Sequence, residues 1–126
     1  MVPLTAIAGE LTFLQAGSLA QLAFEHQVRH IKARGAYSLD PMPYNFNAGA
    51  RFAGFEVIGV WGKPDEAADA ILGRFAVDRL TADVWDIYAD CVRIDYPALR
   101  DMQRAYRTRY HLPARQTVTA ARPPTC

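Results

Sequence analysis

Residues 51–77, RFAGFEVIGVWGKPDEAADAILGRFAV, decide the fold. The first half, Arg51 to Trp61, mixes β-branched and aromatic residues and ends at Gly62-Lys63-Pro64, the composition of a strand closed by a turn. In the second half, Pro64 followed by Asp65 and Glu66 has the look of a first helical turn. A proline there loses no amide hydrogen bond, and carboxylates meet the positive end of the helix dipole. On that reading AADAILGRFAV carries the helix to residue 77.

Working outward, element types alternate. Leu4 to Leu14, LTAIAGELTFL, is apolar and partly alternating, as a strand is. Gly17-Ser18 offers a break and an N-cap, so Leu19 to Ala33 is expected as a helix that Gly35 ends. Residues 36–50, AYSLDPMPYNFNAGA, combine turn formers with aromatics and read as loop or irregular strand. Residues 81–94, TADVWDIYADCVRI, fit a helical period through Val84, Trp85, Tyr88, Cys91 and Val92, and a strand alternation through Trp85, Ile87, Ala89 and Cys91. The strand is preferred, because it completes a sheet. Pro97 to Tyr110 is an amphipathic helix with Leu99, Met102, Ala105, Tyr106 and Tyr110 on one face and Arg100, Arg104 and Arg107 on another. The proline-containing tail from Leu112 to Cys126 is expected to wrap the surface.

That order predicts an α+β fold of the ferredoxin-like, split βαβ pattern: an antiparallel sheet with helices on one face, plus an extra C-terminal helix. It is read as a single domain over 1–126, with the ferredoxin-like α+β core at 1–96 and the C-terminal helix and tail at 97–126. An uncovered apolar sheet face invites self-association, so a homodimer packed sheet to sheet is expected.

Composition limits the partners. The chain has 126 residues, 51% of them hydrophobic, enough for a real core, and a formal net charge of +1 that sets up no overall field toward nucleic acid or membrane. No apolar run approaches the roughly 20 residues of a membrane span. The opening MVPLTAIAGELTFLQAG lacks a basic n-region, so a cytoplasmic location is expected. Cys91 and Cys126 form no CxxC pair and read as reduced thiols, Cys91 in the core and Cys126 at a frayed end. No phosphate-cradling glycine motif or GxSxG elbow occurs, which points to chemistry without a cofactor.

The stretch FEHQVRHI, residues 24–31, puts His26 and His30 four apart, on one face of a helix. Gln21, Glu25, Arg29 and Lys32 cluster on the opposite, solvated side, so the imidazoles face inward with Leu19, Leu22 and Ala23. Two imidazoles without an HExxH pattern lack the third ligand of a catalytic zinc site, and no metal is expected. Acid–base work is the sharper reading and a hydrogen-bonded core histidine the plainer one. In the sharper reading His30, with His26, moves a proton. Asp40 orients an imidazole, and Tyr44 or Arg51 stabilises an enolate-like oxygen. Tyr37, Phe55 and Trp61 supply ring surface to the same pocket. The basic run RDMQRAYRTRYHLPAR, residues 100–115, has the composition of a nucleic-acid footprint. Asp78, Asp83, Asp86, Asp90 and Asp95 can neutralise it, so no nucleic-acid partner is expected.

Residues 26–80 resemble the dimeric α/β-barrel superfamily, in particular its YciI-like and muconolactone-isomerase-like members. The matching pieces are His30, Gly35, Asp40-Pro41, Gly54, Val57 to Trp61, and Pro64-Asp65-Glu66-Ala67. The resemblance implies a cofactor-independent isomerase, cyclase or lyase acting by proton transfer on a small hydrophobic or aromatic-derived carbonyl compound. A second resemblance, carried by Asp83-Val84 and Pro113-Ala114-Arg115-Gln116-Thr117-Val118, is to RidA-type enamine/imine deaminases. It implies a trimer in which Arg115 holds a substrate carboxylate. A third class stays open: a non-catalytic small-molecule-binding or partner subunit.

Overall fold

The structure, a computed structural model, describes residues 9–28, 37–41, 52–62, 70–88, 90–113 and 124. Helix α1, Phe13–Gln27, starts before the Gly17-Ser18 pair because Thr12 builds a capping box: its hydroxyl accepts from the Gln15 amide, and the Gln15 side chain accepts from the Thr12 amide. Gly17 and Ser18 lie inside the helix, where Gly17 is buried against Leu39 and the Ser18 hydroxyl donates to the Leu14 carbonyl. The expected strand over Leu4 to Leu14 is corrected where it is described: Phe13 and Leu14 are helical, while residues 4–8 lie outside the described residues.

The strands are β1 (Tyr37–Pro41), β2 (Phe55–Gly62), β3 (Ala70–Asp78), β4 (Val84–Asp86) and β5 (Val92–Ile94), followed by helix α2 (Pro97–Arg109). They form one sheet in the order β1-β2-β3-β4-β5, every neighbouring pair antiparallel. The helix expected up to residue 77 is corrected to strand β3. Its residues AILGRFAVD pair along β2 from Phe55↔Asp78 to Gly62↔Ala70, and that ladder overrides the helical look of the opening Pro64-Asp65-Glu66, itself outside the described residues. The chain is therefore α+β with an antiparallel sheet, but its strands follow one another as a meander. Residues 81–94 hold the two short strands β4 and β5 rather than one long strand.

A bulge adjusts the second hairpin. Val60 pairs with Gly73 and Trp61 with Ile71, leaving Leu72 as the extra residue. Leu72 packs on the helix side of the sheet, Ile71 on the other. The main core joins Leu11, Leu19 and Phe24 to Ile58, Val60, Phe75, Val77 and Val84, and Leu99 brings α2 into it, so both helices share one sheet face. On the other face Phe52, Phe55, Val57 and Ala76 are at most 8% exposed within one chain. Ile71, Trp85 and Ile87 beside them are only partly buried, and Trp61 on the same face is 36% exposed.

Cys91 is disulfide-bonded, not a core thiol, and the sequence holds one other cysteine, Cys126. Its sulfur lies 3.3 Å from the Pro124 carbonyl oxygen, a packing contact because a disulfide sulfur carries no proton. Among the described residues no helix is long and apolar enough to cross a membrane.

Candidate functional site

Helix α2 meets the rest of the fold along two seams, and both end in a cavity. Pro97 opens the helix, but Tyr96 at the N-cap makes no capping bond with its side chain; its hydroxyl donates instead to the Leu22 carbonyl of α1, 2.7 Å away. The Tyr96 ring lies flat on His26, with centroids 3.7 Å apart and planes 10° from parallel. Beside this stack is a cavity of about 160 Å³ lined by Leu22, Glu25, His26, Tyr96 and Ala98. The His26 Nδ1 is itself buried and has no hydrogen-bond partner among the described residues. Glu25 is held outward, accepting from Gln21 Nε2 at 3.0 Å and from the Tyr37 hydroxyl at 2.8 Å. Burial first, and then the neighbouring Glu25 carboxylate, push the Tyr37 phenol above its ordinary value of 10.0.

The second seam is polar. It is anchored on the β3–β4 turn, where Asp78 Oδ1 accepts from the amides of Leu80 and Thr81, the Thr81 hydroxyl accepts from the Asp83 amide, and Ala82 sits at φ 67°. A left-handed alanine costs about 1–2 kcal/mol and persists only where its surroundings hold it. Two side chains of α2 do so: Gln103 Nε2 donates to the Ala82 carbonyl at 2.8 Å, and Arg107 donates to the Thr81 carbonyl at 3.1 Å. Between this turn, β5 and α2 lies a cleft of about 220 Å³ lined by Asp83, Arg93, Ile94, Asp95, Arg100, Gln103, Arg104 and Arg107. Because β5 is the edge strand, consecutive residues from both of its faces reach the cleft.

The cleft cations are not equally engaged. Arg100 binds Asp95 at 2.8 Å, and Arg107 is tied to the turn. Arg104 reaches Asp101 at 3.5 Å, with both side chains more than 70% exposed, so water screens that pair. The Arg93 side chain makes no hydrogen bond or ion pair among the described residues. Four guanidinium groups therefore face two carboxylates in a space water can enter.

Of the residues singled out from sequence, the described ones, His26, Tyr37, Asp40, Phe55 and Trp61, divide between the two faces of the sheet. His26 is partly buried and faces α2. Asp40 is exposed and accepts from the Ser38 hydroxyl at 3.3 Å. The alternation of β1, which sends Tyr37 and Leu39 toward the helices, places Asp40 on the other sheet face, away from His26. Tyr37 binds Glu25 on the helix side, whereas Phe55, buried, and Trp61, 36% exposed, belong to the far face. His30, Tyr44, Arg51 and Arg115 lie outside the described residues. Among the described residues no three His, Cys, Asp or Glu side chains converge as metal ligands.

Sequence reasoning passed over Arg93 and Gln103 and gave Arg104 no role in a site. It saw the arginines of α2 but matched them against every nearby aspartate. In the structure Asp78 is spent on the turn and Asp86 on Gln27, leaving Asp83 and Asp95 for the cleft. The spacing of Arg100, Arg104 and Arg107, one helix face, was the legible signal.

No protein-family model matches the chain, and no curated protein matches it. Among solved structures, a chain of a type VI secretion system effector–immunity complex from Pseudomonas protegens is similar, with a TM-score of 0.64 and 24% identity over 91% of this chain and 91% of that one. At that identity the likeness is one of fold.

Proposed function

We propose that this chain is a non-catalytic partner subunit that holds an acidic protein partner in the cleft between β5 and α2. The observation that carries the reading is the excess of cation there: four arginines against Asp83, Asp95 and the exposed Asp101 that pairs with Arg104, on walls fixed by Gln103 and Arg107. Arginine clusters recognise acidic segments because the planar fork grips a carboxylate through two parallel hydrogen bonds. The similar Pseudomonas protegens chain comes from an effector–immunity complex, which supports a role exercised by binding another protein. The Cys91 disulfide favours an oxidising compartment over the cytoplasm expected from sequence, since cytosolic thiols are kept reduced.

Hydrogen–deuterium exchange with poly-L-glutamate at low salt tests the reading. Slower exchange over 92–94 and along α2, lost at high salt, is the expected result. Protection confined to other elements, or none at all, contradicts it.

His26 favours a second reading, in which it performs acid–base chemistry on a small carbonyl compound at the α1–α2 cavity. Its support is that His26 lines that space and that its buried Nδ1 has no hydrogen-bond partner among the described residues. Thermal-shift screening of small aromatic acids, lactones and ketones against His26→Gln tests it: a ligand response unchanged by the substitution removes His26 from any such site.

A further inference from the structure

We infer that Arg93 and Arg104 are the two residues that clamp the partner, and that they do so on a pair of neighbouring carboxylates. This rests on the partner-binding reading above and assigns its chemistry. The cleft residues divide by what already engages them. Gln103 and Arg107 are wall, each held by a hydrogen bond to a carbonyl of the turn, Ala82 and Thr81 respectively. Arg100 is matched by Asp95 at 2.8 Å, and bringing an anion to it means competing with that carboxylate. The Arg93 side chain has no partner among the described residues, and Arg104 has only the exposed, 3.5 Å contact with Asp101 on the preceding turn.

The two available guanidinium groups come from different elements, Arg93 from the edge strand and Arg104 from the third turn of α2. An anion bridging them fastens β5 to α2 from outside, across a cleft of about 220 Å³. That volume admits one or two short acidic side chains and little more. The buried Asp83 repels anions brought deeper, so the ligand is held at the rim, where Arg93 and Arg104 are exposed. A rim site suits a segment of a protein surface, which presents carboxylates from outside while its backbone stays out of the cleft.

The test uses a fluorescein-labelled peptide of four aspartates flanked by glycines, titrated by anisotropy at low salt, with inorganic phosphate as competitor. Wild-type protein is expected to bind, and affinity is expected to fall with added salt. Arg93→Gln and Arg104→Gln are each expected to weaken binding about ten- to a hundredfold, the span of a charge-assisted hydrogen bond. Arg93→Lys, which keeps charge and loses the fork, is expected to fall between. Arg100→Gln is expected to bind within about threefold of wild type, because Arg100 is already matched. Thermal denaturation of each variant reports whether the fold is intact; all these side chains are exposed.

Wild-type binding that survives both the Arg93 and Arg104 substitutions but fails with Arg100→Gln overturns this assignment and leaves the cleft as the docking site. No peptide binding by wild type overturns both. Phosphate that binds where the peptide does not shows a free-anion site and overturns the acidic-segment assignment.

Discussion

The two seams of α2 differ in what they leave over. On the α1 side Tyr96 spends its hydroxyl on Leu22 and its ring on His26, and the cavity beside them is small and partly apolar. On the β5 side the hydrogen bonds to Thr81 and Ala82 are equally committed, yet the lining still carries surplus positive charge. The same helix thus closes the fold with one edge and offers charge with the other. A surface whose fixed parts are satisfied and whose charged parts are not has the free energy of its ion pairs still to gain, which is what a docking site needs.

The comparison breaks most completely if α2 itself is loosened. Leu99 is fully buried in the core the two seams share, so Leu99→Ala is expected to cost about 2–5 kcal/mol and to weaken both, read as a drop in the chemical-denaturation midpoint together with loss of peptide binding. Gln103→Ala acts on one seam. It strips the buried Ala82 carbonyl of its donor, with an expected loss of about 1–3 kcal/mol and faster amide exchange in residues 79–83 but not around Leu22. Tyr96→Phe acts on the other seam, removing the bond to Leu22 while keeping the stack. About 0.5–1.5 kcal/mol is expected to go, and peptide affinity is expected to stay as in wild type.

The smallest effect is alkaline. Folding raises the Tyr37 phenol above 10.0, so its contribution to stability is complete below that value and is lost as pH climbs through the raised one. Wild type is therefore expected to lose slightly more stability above pH 10 than Tyr37→Phe does, measured by denaturant titration at successive pH values. Equal slopes for the two proteins contradict a phenol raised by burial and by Glu25.

How much was legible follows from which forces act locally. Strand β2 was readable because FEVIGVW packs apolar side chains on both faces, a pattern that needs no knowledge of neighbours. Helix α2 was readable from its own period. Strand β3 was not, because the opening Pro64-Asp65-Glu66 carries a local helix signal, whereas the pairing of Phe75 and Ala76 with Ile58 and Val57 is a long-range fact. The start of α1 was misplaced when Gly17-Ser18 was taken for punctuation and the capping box of Thr12 and Gln15 was overlooked. At the site, the helical wheel told which way His26 faces but not what it meets, and Tyr96 lies far along the chain. Counting charges found the aspartates able to balance the arginines. It could not say that Asp78 folds a turn instead, and that division of labour creates the charged cleft.

The most direct measurement follows the arginine side chains themselves. In an NMR titration of labelled protein with the tetra-aspartate peptide, the Nε–H signals of Arg93 and Arg104 are expected to shift and sharpen as they are gripped, while those of Arg74 and Arg79, away from the cleft, stay put. Signals of Arg93 and Arg104 that remain unmoved at saturating peptide would contradict the account.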